Sequence, residues 1–383
     1  MTIFRDADTD LGHSNAPARD RAATTRTPID PQRLRRVKKS YTTRYTAASL
    51  EASPSGHHLL AGTEVTPREG DLVVARVTEI GKHTRLEGPG SRRQLLFPGD
   101  EVLLAYGHRY APDQFLAEVP ADLGRCHLVA AGGLAGTVTA MHASIDEPTA
   151  IEPLGLLADE AGVVRLERHA PLAVTPQTWA RSAPGPRADG PLVVAVLGTS
   201  MNSGKSTTLA CLVNGLTAAG LVVSAGKATG TGAGNDAHLF RDAGATRVLD
   251  FTDFGLPSTF RLDAEQVLDV FGSLVAALAE DGPDVVVVEI ADGVYQGETS
   301  RLLADPAFGS RIDHVVFAAQ DALGAAAGVT ELRRHGLPVA GVSGVLTASP
   351  LAAAEARAAL DVEVTDTYEL CRPAVATALV PRG

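Results

Sequence analysis

The order of apolar and polar positions divides the chain into two parts. From about Ser40 to His169, short apolar or alternating runs are separated by turn residues, as around the run from Leu72 to Ile80. Many short strands with frequent turns are typical of a small β-barrel or β-sandwich. After Pro191, continuous β-branched runs alternate with helical, Ala- and Leu-rich segments. This α/β pattern predicts a mostly parallel sheet covered by helices on both faces.

These patterns predict four regions along the chain. Residues 1–40 are polar, basic and without periodicity, so we predict a disordered basic tail. A β-rich domain follows over residues 41–169, and the Pro-, Ala- and Gly-rich stretch 170–190 is predicted to be a linker. The α/β domain then covers residues 191–383. A length of 383 residues agrees with two or three domains.

Charge and cysteine content narrow the classes of function. A net charge of −11 disfavours general nucleic-acid binding, so we expect no nucleic-acid partner. The basic run from Arg33 to Lys39 favours a solvated tail over a binding surface. Cys126, Cys211 and Cys371 lie far apart, which argues against a disulfide framework or a zinc ribbon. Without a signal region or a long apolar stretch, we expect a cytoplasmic protein and no membrane contact.

One polar loop stands out in the β-rich part. His108, Arg109, Tyr110 and Asp113 lie within eight residues of each other. They could bind an anionic or polar substrate, but an exposed hairpin loop is the favoured interpretation.

The clearest chemistry lies around residue 200. A strand-like run from Pro191 ends at Gly198, and the sequence Thr-Ser-Met-Asn-Ser-Gly-Lys-Ser leads into a helical segment that reaches about Ala219. Strand, loop and helix in this order indicate a P-loop. The spacing departs from the usual motif, because Thr199 occupies the place of the first glycine and Gly198 precedes it.

Each residue type in this loop suits phosphate binding. Gly204 lets the backbone approach a phosphate that a Cβ atom would crowd. Successive backbone N–H groups and the N-terminus of the next helix bind the anion. Lys205 is predicted to reach the β- and γ-phosphates, and the hydroxyl of Ser206 to ligate Mg²⁺. The further predicted nucleotide contacts are Gly198, Asn202, Ser203 and Thr207.

Two later strand ends carry complementary side chains. Lys227 follows the second strand of this part and opens a glycine-rich loop that contains Asp236. Glu289 emerges from four consecutive valines, where an unpaired carboxylate is costly to bury. We predict that Lys227 contacts a carboxylate or a transferred phosphoryl group. Asp236 and Glu289 are predicted to ligate Mg²⁺, with Asp292 as a second choice.

The C-terminal half resembles the dethiobiotin synthetase family and its relatives, the cobyric- and cobyrinic-acid amidase NTPases, over about residues 191–365. The P-loop of that family has the same Gly-Thr-x4-Gly-Lys-[Ser/Thr] form. The resemblance implies that Lys227 matches a substrate-binding lysine, and that Asp236 and Glu289 match metal ligands. This half is also similar to DUF1611-type proteins, which include an amino-acid N-acetyltransferase.

Departures from the family pattern fall at positions that contact its substrate. Ser200 replaces an acidic residue, Ala228 replaces a proline, and Ile-Ala-Asp-Gly follows Glu289 where the family has Gly-Ala-Gly-Gly. We therefore expect ATP and Mg²⁺ as cofactors, but not a substrate of the biotin pathway.

The favoured hypothesis is an enzyme of the ligase or kinase type. It would use Mg²⁺ and ATP to activate a small carboxylate or carbamate by phosphoryl transfer. Lys205 would stabilise the γ-phosphate, while Lys227 and Thr199 would face the acceptor. Ser206, Asp236 and Glu289 would hold Mg²⁺. We expect a small-molecule substrate and a homodimer.

Two other functions stay open. A regulatory or assembly NTPase would switch a partner protein, but residues 198–203 lack the additional lysine of partition-type ATPases. A transferase could instead use the loop to bind a phosphorylated donor such as acetyl-CoA, and stoichiometric ADP release would separate it from a kinase. No Asn/Thr-Lys-x-Asp guanine signature is present, so ATP is preferred over GTP.

Overall fold

A computed structural model describes residues 24–176 and 190–381, together with the backbone of residues 4–6. The chain forms two compact units. The β-rich unit comprises Met1–Ala173, Thr231–Gly234 and Thr252–Phe260, and the α/β unit comprises Val174–Gly230, Asn235–Phe251 and Arg261–Gly383. Two segments beyond residue 191 therefore belong to the β-rich unit, which differs from the predicted continuous α/β domain over 191–383.

The β-rich unit is built from short strands, two helices and a 3₁₀ turn. Its strands are Phe4–Asp6 (β1), Thr25–Pro28 (β2), Lys38–Lys39 (β3), His58–Ala61 (β4), Leu72–Glu79 (β5), Arg85–Glu87 (β6), Arg93–Leu95 (β7), Glu101–Tyr106 (β8), Arg109–Tyr110 (β9), Phe115–Glu118 (β10), Cys126–Ala130 (β11), Leu134–His142 (β12), Thr149–Asp159 (β13) and Gly162–Val163 (β14). Its helices are Pro31–Arg36 (α1) and Arg44–Ala52 (α2), and the 3₁₀ turn is Leu166–Arg168.

Strand pairing closes a small barrel in this unit. β13 pairs with β5, β5 with β8, β8 with β12, β12 with β11, and β11 again with β13. Only the pairing of β8 with β12 is parallel within this ring. Alternate residues of β5 such as Val73, Ala75 and Val77 fill the interior, as the period of two in a strand requires. Of the two predicted β architectures, the structure has the barrel.

The outer face of the barrel is covered by the segment that precedes it. Leu72 and Val74 of β5 pack in one cluster with Leu34, Val37 and Leu50 from the region of α1 and α2. Residues 25–39 thus form β2, α1 and β3, which differs from the predicted disordered tail. Their few apolar side chains lie inside the cluster, while Arg33 and Lys38 form ion pairs with Glu101 and Asp100. Residues 7–23 lie outside the described part of the chain.

The α/β unit alternates strands and helices. Its strands are Leu192–Gly198 (β15), Val223–Lys227 (β16), Arg247–Asp250 (β17), Val285–Glu289 (β18), His314–Ala318 (β19), Val339–Ser343 (β20) and Glu363–Val364 (β21). Its helices are Lys205–Ala218 (α3), Asn235–Asp242 (α4), Ala264–Ala279 (α5), Gly297–Ala304 (α6), Pro306–Gly309 (α7), Ala322–Arg334 (α8), Pro350–Ala359 (α9) and Pro373–Leu379 (α10). Its short 3₁₀ helices are Val345–Ala348 and Tyr368–Cys371; another, Phe251–Phe254, begins at the last residue of Asn235–Phe251 and continues into Thr252–Phe260 of the β-rich unit.

The seven strands of this unit form one sheet in the order β17-β16-β18-β15-β19-β20-β21. All pairings in it are parallel. Ala225 and Val316 pack on the face that carries α3, α4 and α10. Phe317 contacts Gly328 of α8, and Leu274 of α5 contacts Gly226, so these helices cover the other face. The predicted parallel sheet with helices on both faces is confirmed.

Two predictions concern segments that the structure covers only in part. Of the predicted linker 170–190, residues 177–189 lie outside the described part. Among the helices of the described ranges, none combines the length and the apolar character needed to cross a membrane.

Candidate phosphate and metal site

The P-loop lies where β15 meets α3, in the middle of the parallel sheet. β15 is buried over nearly its whole length, and Gly198 ends it between β18 and β19. Residues 199–204 then turn back into Lys205, the first residue of α3. Gly204 has a φ of 94°, a left-handed conformation that glycine adopts without the strain a Cβ atom brings. The predicted strand, loop and helix are confirmed.

Lys205 is anchored by backbone oxygens. Its side chain is buried, and Nζ donates to the carbonyl oxygen of Ser200 at 2.8 Å and to that of Asp292 at 2.6 Å. Burial lowers the pKa of Lys205, while the carboxylates of Glu289 and Asp292 act in the opposite direction. An ammonium at the N-terminus of a helix, where the first N–H groups have no partner within the helix itself, is well suited to bind phosphate.

The residue that precedes Asp292 is held by two threonines. Ala291, which precedes Asp292, accepts at its carbonyl oxygen from the hydroxyls of Thr229 and Thr299, at 2.5 and 2.8 Å. The N–H of Ala291 donates to the Thr229 hydroxyl at 2.8 Å. These two threonines were not predicted from the sequence. Thr229 follows β16 and Thr299 lies within α6, and neither belongs to a motif that would identify such a bridge.

The other predicted loop residues take different positions. Ser203 is fully buried, and its carbonyl oxygen accepts from the N–H of Val345 at 3.0 Å. Asn202 has a φ of 62° and lies at the turn of the loop. The N–H of Thr199 donates to the carbonyl oxygen of Ala318 at 3.0 Å. Within the described residues, the hydroxyls of Thr199 and Ser203 are buried without a hydrogen-bond partner.

Three charged side chains meet beside the P-loop. Lys227 and Glu289 occupy paired positions of the neighbouring strands β16 and β18. The Nζ atom of Lys227 forms an ion pair with Asp236 and lies 3.4 Å from Oε1 of Glu289. Glu289 is 2% exposed, and its Oε2 atom has no hydrogen-bond partner among the described residues. The structure therefore brings together the lysine and both carboxylates selected from the sequence.

The charges of this cluster support each other. Burial on its own lowers the pKa of Lys227, but attraction by Asp236 and Glu289 outweighs it, so the pKa is raised. For Asp236, burial raises the pKa, but attraction to Lys227 and hydrogen bonds from Lys227 and Ser206 hold it below its usual value. Lys227 and Asp236 therefore stay ionised at neutral pH.

Two carboxylates and a hydroxyl suit a magnesium ion. In the ranges that the structure describes, no group of three or more His, Cys, Asp and Glu side chains is arranged to hold a metal. Mg²⁺ differs from other metals here, because it commonly uses one or two carboxylates together with phosphate oxygens and water. The buried Oε2 atom of Glu289, Asp236 and the Ser206 hydroxyl near it therefore fit Mg²⁺ bound with a nucleotide.

A cavity of about 200 Å³ opens beside the first turn of α3. Gly204, Thr207, Gly344 and the exposed Tyr368 are among the residues that line it. Thr367 stabilises this wall, because its hydroxyl accepts from the N–H of Gly344 at 3.1 Å. Gly204 and Thr207 were selected from the sequence, whereas Gly344 and Tyr368, which follow β20 and β21, were not.

The polar loop around residues 108–113 makes contacts within the β-rich unit. Arg109 is buried, and its guanidinium donates to the side-chain oxygen of Gln114 at 2.9 Å. The ring nitrogen Nδ1 of His108 accepts from the N–H of Val119 at 3.3 Å. The predicted exposed hairpin loop therefore differs from the structure at Arg109, which is buried.

Fold and loop geometry define an α/β protein of the P-loop NTPase-like class. No protein-family model matches the chain, and no curated protein matches it either. Among solved structures, a DUF1611 family protein from Anabaena variabilis is similar over 58% of this chain and 65% of its own, at 16% identity and a TM-score of 0.40. The signal recognition particle 54 kDa protein from Aeropyrum pernix K1, in complex with GDP, is similar over 51% of this chain at 20% identity and a TM-score of 0.34.

A third similar structure is the signal recognition particle receptor FtsY from Elizabethkingia anophelis in complex with GDP. It matches over 54% of this chain and 69% of its own, at 14% identity and a TM-score of 0.31. The chain spans about half, 47%, of the Aeropyrum protein. Likeness at this level carries no weight for function, so the assignment to the class rests on the P-loop itself.

Proposed function

We propose that this protein is a Mg²⁺- and ATP-dependent enzyme that activates a small carboxylate or carbamate by phosphoryl transfer. The observation that carries the proposal is the cluster of Lys227, Asp236 and Glu289 at the strand ends next to Lys205. A site that only bound nucleotide would need the P-loop and a metal ligand. A second lysine held ionised beside the metal ligands adds a positive charge that suits an anionic acceptor.

In this proposal each residue has a defined task. The N–H groups of the loop and of the first turn of α3 bind phosphate oxygens, and Lys205 contacts the β- and γ-phosphates. Asp236, Glu289 and the Ser206 hydroxyl would hold Mg²⁺, which when bound neutralises charge on the phosphates. Lys227 neutralises the acceptor, and Thr199 hydrogen-bonds it. The buried position of Glu289 keeps water away from this side of the site.

The nucleoside is proposed to enter the cavity beside Gly204 and Thr207. The cavity has a volume of about 200 Å³, which accommodates a purine base. The exposed ring of Tyr368 offers a face on which the base can stack. ATP is the preferred nucleotide, and competition between ATP and GTP for the protein checks this preference directly. We also propose that the protein acts as a homodimer.

Substrate-stimulated ADP release tests the proposal. The purified full chain is incubated with Mg²⁺ and ATP, and ADP is measured with and without each member of a panel of small carboxylic acids and amines. We expect at least one acid to stimulate ADP release well above the basal rate. Stoichiometric ADP per acid consumed supports phosphoryl transfer.

The same assay separates the two alternatives. ATP hydrolysis that no small molecule stimulates, but that a partner protein does, favours a switch. Product formation from an acyl donor without ADP release favours an acyltransferase. Absence of nucleotide binding by calorimetry overturns the enzyme and the switch, and absence of acetyl-CoA binding in the same measurement overturns the acyltransferase.

A further inference from the structure

The glycine-rich segment between β16 and α4 belongs to the β-rich unit. Thr231–Gly234 is part of that unit, whereas α4 begins with the next residue. The N–H of Gly232 donates to the carbonyl oxygen of Pro257 at 3.0 Å. The N–H of Gly234 donates to Oε1 of Glu87 at 3.1 Å, and Glu87 is buried. Gly232 and Gly234 therefore both donate backbone hydrogen bonds to other residues of the β-rich unit.

Gly234 is packed so closely that a side chain at this position would displace neighbouring side chains. A Cβ atom there would lie 2.0 Å from Oγ of Ser91 and 2.8 Å from both Oε1 of Glu87 and Cε2 of Tyr41. The φ of Gly234 is not in the left-handed region. Glycine is thus required by close approach and not by backbone conformation.

A second segment of the β-rich unit, Thr252–Phe260, follows α4 and β17 in the chain. Asp253, in the segment Thr252–Phe260, forms an ion pair with Arg44 at 2.7 Å and accepts from the hydroxyl of Tyr45. The Arg44 guanidinium stands over the rings of Tyr41 and Tyr45, at 4.2 and 4.4 Å from their centroids. Burial and the hydrogen bond to Asp253 raise the pKa of Tyr45 to about 12.

Tyr41 is linked to both segments. Its ring packs against Gly234 of the first segment, and it stacks with Arg44, which pairs with Asp253 of the second segment. Residues 235–251 belong to the α/β unit, and the two segments that precede and follow them belong to the β-rich unit. Asp236 is the second residue after Gly234 and belongs to the first turn of α4.

We infer that Glu87 is a positioning residue for the divalent-cation ligand Asp236, and that it acts through Gly234. The inference rests on the proposed function, since it assigns to the β-rich unit the control of a ligand in that site. Loss of an outer partner of a metal ligand commonly weakens metal affinity roughly 10- to 100-fold. The β-rich unit would then be necessary for metal binding, in addition to any contact with substrate.

The test compares two glycine substitutions in the full chain. Gly234→Ala forces Ser91 and Glu87 apart from the segment, whereas Gly90→Ala places a Cβ atom in open space in the same unit. Mn²⁺ serves as the probe, and its affinity is measured by electron paramagnetic resonance with ATP present. ATP binding in EDTA is measured by calorimetry. We expect Gly234→Ala to weaken Mn²⁺ binding at least tenfold, with metal-free ATP affinity within threefold of the wild type.

A second pair of variants changes only the acceptor. Glu87→Gln keeps a side-chain oxygen that can accept from the Gly234 N–H, whereas Glu87→Ala removes it. Mn²⁺ affinity should be preserved by glutamine and lost with alanine. A role limited to stability of the fold predicts no such difference once both variants are shown to be folded. This pair also serves if Gly234→Ala does not fold.

The double variant Ser91→Gly with Gly234→Ala gives a further check. It removes Oγ of Ser91, the atom nearest to the new methyl group, and Ser91 has a φ of 60° that glycine adopts easily. Mn²⁺ affinity should recover in part. Affinities of Gly234→Ala and Glu87→Ala within twofold of the wild type overturn the inference. Failure of the proposed function is recognised separately, because then no small acid stimulates ADP release by the wild type.

Discussion

The Nζ atom of Lys227 lies 3.4 Å from Oε1 of Glu289, and the two residues are paired across the neighbouring parallel strands β16 and β18. Their pairing follows from the topology, because the carboxyl ends of parallel strands meet at one edge. The lysine thereby supplies the positive charge that a nearly inaccessible carboxylate requires. A cation that binds Glu289 must share this carboxylate with Lys227.

Substitution of Lys205 should remove most of the affinity for nucleotide. Charge-assisted hydrogen bonds to phosphate contribute about 1.5–3 kcal/mol, so Lys205→Ala should weaken ATP binding roughly 10- to 100-fold. Calorimetric titration measures the change. Lys82→Ala, at an exposed lysine of the β-rich unit, is the control. Equal affinity of Lys205→Ala and the wild type would exclude Lys205 from the phosphate site.

The bridge between Thr229 and Ala291 should be visible in hydrogen exchange. Thr229→Val removes the oxygen that accepts from the Ala291 N–H, so this amide should exchange about 5- to 10-fold faster, as expected for a hydrogen bond of about 1 kcal/mol. Thr299→Val is the matched control, because it removes hydrogen bonds to the carbonyl oxygen of Ala291 and to Gln296 but leaves the acceptor of the Ala291 N–H. Equal exchange of the Ala291 amide in both variants would contradict the assigned bond.

Glu69 should make stability depend on pH. Burial raises the pKa of its carboxyl from 4.5 to about 7. Between these values the unfolded chain releases the proton while the folded chain keeps it, so stability falls as pH rises through this range. The loss is on the order of 3 kcal/mol at pH 8. Urea unfolding at pH 5 and pH 8 measures it.

Glu69→Gln should remove this decline by keeping a neutral side chain at all pH values. Glu64→Gln, at an exposed glutamate nearby, should leave the decline unchanged. If stability of the wild type rises from pH 5 to pH 8 in the same manner as that of Glu69→Gln, Glu69 does not carry a raised pKa.

The sequence predicts the parts of the site that are local or set by parallel topology. The P-loop is contiguous in the chain, so strand, loop and helix were assigned together. Lys227 and Glu289 could be brought together because the two strand ends of a parallel sheet lie side by side. Frequent short strands predict a β-barrel or a β-sandwich, and the strand pairing in the structure decides for the barrel. These are short-range or topological regularities.

What the sequence did not predict depends on packing between distant segments. Glycines in Thr231–Gly234 suit a flexible loop as well as a close approach, and only the position of Glu87 and Ser91 decides between them. The pairing of Arg44 with Asp253 joins residues 209 positions apart. Leu34 and Val37 lie among basic residues, and their burial depends on a cluster formed by β5 and β8.

Replacement of Lys227 should affect metal binding and turnover in opposite directions. In the protein without metal, the ammonium of Lys227 contacts the two carboxylates proposed as Mg²⁺ ligands. Lys227→Met removes this competing cation, so Mn²⁺ affinity without nucleotide should increase on the order of tenfold, and melting temperature without metal should fall. Lys82→Met is the control. Unchanged or weaker Mn²⁺ binding by Lys227→Met would show that the lysine does not compete for the metal ligands.

The same variant separates the enzyme from a partner-controlled switch. If Lys227 neutralises charge on the acceptor, Lys227→Met should leave ATP affinity within about threefold but slow acid-stimulated ADP release roughly 10²-fold, as loss of one preorganised charge contact predicts. A switch would keep its basal hydrolysis nearly unchanged. The acid found in the ADP-release screen is the substrate for this assay. A variant that responds to that acid as the wild type does would remove Lys227 from the mechanism, even if its Mn²⁺ affinity had risen.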